Sequence, residues 1–172
     1  MRAIDTLIIH CTASDWGDVA AVDAWHKARG FKKIGYHILV LNGYATAQDW
    51  KAKKYRPELD GAIQLGRAIA EVGAHCEDYN ATSIGVAFVG NAAPGPKVRR
   101  ALFDISSYLM LKHRIPIKEI IGHREAQLRL EIPAAKRKTC PCFEVSEIRT
   151  ELINSVAHWK ALGWTGKLEG II

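Results

Sequence analysis

The residues best equipped for chemistry in this chain are two imidazoles and a thiol: His10, His123 and Cys140. Each histidine closes an apolar run, Leu7-Ile8-Ile9 before His10 and Ile120-Ile121-Gly122 before His123. Short apolar, β-branched runs read as buried strands, and adjacent strands of one sheet would bring both rings to the same edge. Cys140 lies in the stretch after His123, near enough in sequence to fold back. Two neutral imidazoles and a thiolate make a three-ligand zinc site, with the fourth position left for water as a catalytic centre requires. These residues do not form a compact spaced motif such as His-Glu-x-x-His. By residue type alone, a histidine at a strand end is usually a hydrogen-bonded or half-exposed residue, and Cys140 is more often a buried, inert thiol.

The elements that must position them follow from periodicity and punctuation. Residues 4–10 form the first strand. Asp18 can cap a helix through Arg29, with Val19, Val22, Trp25 and His26 at helical spacing and Gly30 ending it. Residues 35–41 read as the second strand, and Asn42-Gly43 as a turn. Residues 44–59 are polar, basic and interrupted by Pro57, and periodicity does not place them. After the Asp60-Gly61 turn, residues 62–65 read as a strand, with a helix over 57–72 as the alternative on propensity. Residues 83–89 form a strand and 97–113 a helix that turns Val98, Leu102, Ile105, Ser106 and Leu109 inward. Pro116 breaks the chain, and residues 117–122 form a strand ending at His123. Residues 124–142 read as a long loop with room for a short helical turn. Residues 144–159 form the last helix, with Val145, Ile148, Leu152, Val156 and Trp159 on one face. The alternation predicts one α/β domain over residues 1–172: a mixed central β-sheet flanked by helices on both faces, the zinc site at one sheet edge.

Composition is consistent with that frame. A chain of 172 residues can bury a core without disulfides, so Cys11, Cys76, Cys140 and Cys142 read as thiols or metal ligands. The formal net charge of +6 favours anionic partners: nucleic acid, anionic lipid or the acidic polymers of a cell wall. Basic residues cluster at Lys51, Lys53, Lys54 and Arg56, and at Lys136, Arg137 and Lys138. No apolar run reaches the roughly 20 residues that span a bilayer, and the N-terminus lacks a signal-peptide pattern. Synthesis ending in the cytoplasm, with no stable membrane insertion, is therefore expected unless another route exports the chain.

Several segments carry a resemblance in consistent order. They are Leu7-Ile8-Ile9-His10-Cys11-Thr12-Ala13-Ser14, Trp25-His26-Lys27 with Gly30, Gly35-Tyr36-His37, Asp60-Gly61 through Gly66-Arg67, Val72-Gly73-Ala74-His75, Tyr79-Asn80 with Ser83-Ile84-Gly85-Val86, Gly122-His123-Arg124-Glu125, and Lys138-Thr139-Cys140-Pro141 with Phe143. Together they resemble the N-acetylmuramoyl-L-alanine amidase and peptidoglycan recognition protein superfamily, nearest its short phage endolysins. The resemblance covers residues 4–160 and departs at residues 42–59, which look like an insertion between two strands, and in the length of the loop before Cys140.

The resemblance implies that His10, His123 and Cys140 hold Zn2+ and that Tyr36 and Lys138 are catalytic. Lys138 would stabilise an oxyanion, and Tyr36 would hold the water or pass a proton. His37 alternates with Tyr36, so one of the two faces away from the site, and Tyr36 is the one expected in the groove. His75 and Asn80 are candidates for substrate contact, although Asn80 can instead fix its own turn. The partner implied is peptidoglycan, cut between N-acetylmuramic acid and L-alanine. A monomer that binds no nucleic acid is expected, reaching the wall after the membrane is permeabilised. Members that only bind the polymer lack the cysteine-type ligand, which this chain has.

Overall fold

A computed structural model describes residues 2–161, with side chains described through residue 158. Five strands form one sheet in the order β3-β2-β4-β1-β5: β1 (Thr6–Cys11), β2 (Ile38–Asn42), β3 (Asp60–Leu65), β4 (Ser83–Phe88) and β5 (Ile120–Gly122). β1 lies parallel between β4 and β5, β2 is parallel to β4, and only β3 runs antiparallel, at the edge beside β2. The helices are α1 (Val19–Ala28), α2 (Ala47–Lys51), α3 (Pro96–His113), α4 (His123–Arg129) and α5 (Ser146–Ala161).

Alternation along the strands divides the core between two faces. Leu7, Ile9, Ile38, Val40, Ile84, Val86 and Phe88 pack against Val98, Leu102, Leu109 and Met110 of α3 and Ile148, Leu152 and Val156 of α5. On the opposite face Leu39, Leu41, Ala87 and Val89 meet Val22 of α1, and Ile8 and Ile121 meet Ala126 of α4. His10 follows Ile8 by two residues and so falls on this second, more thinly covered face.

Cap chemistry explains the helix ends. The Asp18 side chain accepts from Ala21 N–H at 2.8 Å to start α1. Gly30 follows with a φ of 87°, a left-handed position suited to glycine. The expected helix of residues 97–113 begins at Pro96, whose fixed φ suits a first helical position.

Other expectations are corrected. Residues 35–37 are irregular, and β2 begins at Ile38. Residues 60–65 form the strand β3, which excludes the alternative helix over 57–72. Residues 117–119 form a 3-10 turn before β5. The segment after His123 is not a loop at its start: α4 occupies seven residues, and a 3-10 turn follows at Ala134–Lys136. Glu125 drives the difference, since its carboxylate accepts from Gly122 N–H at 2.7 Å and caps α4. The inward-facing role expected of Trp159 lies outside the described side chains.

Candidate metal centre

His10 sits at the C-terminal end of β1 and is 1 % exposed. Ile9 pairs with Gly122, so His123, the residue that follows the neighbouring strand β5, arrives beside His10. The two rings lie 4.7 Å apart, centroid to centroid. Cys140 reaches in from the loop after α4, with its Sγ 3.8 Å from His10 Nδ1. One donor atom from each of the three residues falls within 4.8 Å of the others, a spacing compatible with zinc bonds of about 2.0–2.3 Å.

Protonation also suits a metal, which takes neutral imidazoles and a thiolate. Burial, then the neighbouring His75, holds His10 well below the ordinary imidazole pKa. Burial, then Lys138, brings His123 to about 4. Cys140 is drawn below the ordinary thiol value by its hydrogen bond with the Cys11 side chain, against the opposing effect of burial. The Cys11 backbone N–H also donates to Cys140 Sγ at 3.2 Å. Cys11 moves the opposite way, raised first by its interaction with Cys140 and then by burial, so thiolate character concentrates on Cys140. The donor set therefore fits zinc.

The ligands have their own supports. His75 Nδ1 lies 3.0 Å from His10 Nε2, a bond that leaves His10 Nδ1 turned to Cys140. His75 fits there because residue 85 is glycine: a Cβ would stand 2.5 Å from the His75 ring. Behind His123, Arg149 of α5 donates to both Glu125 oxygens, at 2.8 and 3.2 Å, and to Ile120 O at 2.8 Å. The clamp fixes the turn from β5 into α4 that carries His123. Arg124 N–H donates to Cys140 O at 2.9 Å and ties the cysteine loop to the same turn.

A groove of about 540 Å³ opens over this cluster, lined by Tyr36, His75, His123, Lys138 and Cys140 among others. Tyr36 places its ring 5.2 Å from that of His10, and burial raises its phenol pKa. His37 is fully buried and outside the groove lining; its Nδ1 accepts from Gly85 N–H at 2.9 Å. Lys138 is exposed and lines both this groove and an adjoining one. Asn80 lines the adjoining groove, but its Oδ1 accepts from His75 N–H at 2.8 Å and Cys76 N–H at 3.0 Å and so shapes the turn. Cys142 stands with Cys11, their sulfurs 3.5 Å apart.

Three groove residues escaped the sequence reading: His26, Arg29 and Arg137. His26 was visible as a member of the α1 apolar stripe and of the Trp25-His26-Lys27 segment, without an assigned role; its Nδ1 accepts from Gly35 N–H at 2.8 Å beneath Tyr36. Arg137 belongs to the basic run that contains Lys138, where the run itself was the available signal.

A mixed sheet that gathers two histidines and a cysteine beneath an open groove defines a hydrolase-type α/β domain with a candidate metal centre. The chain belongs to the N-acetylmuramoyl-L-alanine amidase family, which matches residues 1–143. Amide hydrolysis in peptidoglycan is the activity this membership carries. The chain is 27% identical over 159 residues to the endolysin of Escherichia phage T7, covering 90% of this chain and 92% of that one. It is 29% identical over 156 residues to the endolysin of Enterobacteria phage T3, covering 88% and 90%. In structure it is similar to the N-acetylmuramoyl-L-alanine amidase LysC from Clostridium intestinale, with a TM-score of 0.68, 24% identity and coverage of 88% and 87%. Drosophila PGRP-LB shares the fold at a TM-score of 0.60, with 19% identity and coverage of 92% and 82%.

Proposed function

We propose that this chain is a zinc-dependent amidase, a single domain over residues 1–172, that cleaves between N-acetylmuramic acid and the L-alanine of the stem peptide. The observation that carries the reading is the meeting of His10, His123 and Cys140 donor atoms within 4.8 Å at the base of the groove. These residues would hold the ion, which when bound acidifies a water toward a pKa of about 7 and polarises the substrate carbonyl.

The remaining work falls to the chain's own groups. His75 orients His10 through the bond to its Nε2. Lys138 brings a positive charge to the oxyanion that develops on the lactyl carbonyl oxygen. The Tyr36 phenol, its own proton held by burial, would hold the attacking water and relay that water's proton toward the departing amine. His75 and Asn80 border the path along which the stem peptide would lie.

The endolysin relatives support a phage or prophage lysis enzyme, made in the host cytoplasm and acting on the wall once the membrane is breached. Among the described residues no helix is long and apolar enough to cross a membrane. We read the protein as a monomer whose partner is peptidoglycan rather than nucleic acid. The test is digestion of purified sacculi followed by mass spectrometry, with zinc quantified in wild type and Cys140→Ser. Intact stem peptides with a free L-alanine amine, released only by the zinc-loaded wild type, are expected. Release that persists through thorough chelation would overturn the zinc assignment.

A further inference from the structure

The segment between β2 and β3, which periodicity did not place, forms an aromatic wall tied to the loop that borders the groove. Gly17 N–H donates to Tyr44 O at 2.9 Å, and the Asn42 amide donates to Asp15 O at 2.9 Å. Both bonds strap the segment to the loop after β1, whose Thr12 and Ala13 line the groove. Within it the Tyr44 ring meets Trp50 at 5.0 Å and Tyr55 at 5.7 Å. Trp50 nevertheless remains 41% exposed.

Beside Trp50 lies a notch of about 160 Å³, lined by Asp15, Asn42, Trp50 and Asn91 together with the turn after β4. Asn91 also lines the main groove, so the two spaces adjoin. The Asn91 amide donates to Asp15 Oδ1 at 2.7 Å, which fixes both side chains at the junction.

We propose that this notch is an outer saccharide subsite, which receives the sugar next to the reacting muramic acid along the glycan strand. The proposal rests on the peptidoglycan amidase reading. A pyranose has an apolar face of C–H groups and a rim of hydroxyls. Trp50 offers a flat apolar surface for the first, and the Asp15 carboxylate and the Asn91 amide oxygen offer acceptors for the second, while the Asn42 amide is engaged by Asp15 O and Tyr44 N–H and shapes the notch. The stem peptide suits the notch poorly, because its carboxylates would meet Asp15. The groove's cations Arg29, Arg137 and Lys138 lie in the main groove and do not line the notch. The notch therefore lengthens the site in the direction of neutral sugar.

The experiment compares kcat/KM on a single-sugar muramyl peptide with kcat/KM on a stem-bearing tetrasaccharide of alternating N-acetylglucosamine and N-acetylmuramic acid. In Trp50→Ala the ratio of long to short substrate should fall about tenfold, the loss of one packed apolar face. Trp50→Phe, which retains a ring against Tyr44, should keep most of the preference and controls for folding. An unchanged ratio in Trp50→Ala overturns the subsite. If the wild type cleaves neither substrate, the amidase reading fails separately. The notch is then judged by calorimetry with the stem-free tetrasaccharide: binding by wild type that is lost in Trp50→Ala supports it, and equal binding by both, or by neither, overturns it.

Discussion

The histidine side of the groove is carried by strands, whereas the cysteine side is carried by a loop. His10 stands on a strand flanked by two others, backed by Ile8 and wholly enclosed. Its partner His75 is seated against Gly85 of the adjoining strand. Across the groove, Lys138 is exposed, and the segment is held by isolated bonds: Lys138 N–H to Gln127 Oε1 at 2.8 Å and Arg137 Nε to Ile132 O at 2.6 Å. The fold fixes the geometry on one side, while reactive charge is added on the other by Lys138, whose exposed side chain supports no core contact. Substitutions on the loop side should therefore change activity with little effect on stability. Those on the strand side should change both.

The largest expected effect is that of Cys140→Ser. Turnover should fall beyond the roughly 100- to 1000-fold that loss of a single oxyanion donor costs, with zinc content near zero. Metal-free wild type and variant should melt alike, and a large gap between those two melts would place Cys140 in the structural frame. Lys138→Ala comes next, with a loss of about 100- to 1000-fold in kcat and zinc retained; zinc lost alongside activity would make the lysine a structural residue. His75→Gln should weaken zinc binding by about 10- to 100-fold, read by competition with a chelator. It should also lower the melting temperature, and zinc affinity equal to wild type would remove His75 from its orienting role.

The smallest effect is on pH dependence and belongs to the strand side. His37 and His26 are buried, and desolvation brings each from 6.5 to about 4 in the folded chain. Between those values the unfolded chain binds protons that the folded chain does not. Their contribution to stability is complete above about pH 6.5 and declines as pH falls toward about 4. Melts of the metal-free protein should drop steadily across that window, with His10, His75 and His123, lowered by burial in the same way, adding to the fall; a flat profile would show that none of these rings titrates against the fold.

The same division governs what could be read from the sequence. α1 was legible at both ends because Asp18 and Gly30 are local signals. β1, β4 and β5 were legible because buried parallel strands are continuous apolar runs. The placement of His10 and His123 followed from the strands that end at them. α4 was missed because seven residues give too few turns for periodicity, although Glu125 three residues after Gly122 was a cap signal in plain view. The pairing of His75 with His10 bridges 65 residues and left no local trace. The wall built by Tyr44, Trp50 and Tyr55 was likewise hidden, because its aromatic contacts depend on a turn that only the folded backbone reveals.

The Arg149 clamp on Glu125 has a consequence for the order of events during synthesis. A nascent chain that ends just past Cys140 already contains every candidate ligand, yet the arginine that secures the turn carrying His123 has not been made. A centre so arranged gains its full support only once α5 has been made and has docked against that turn.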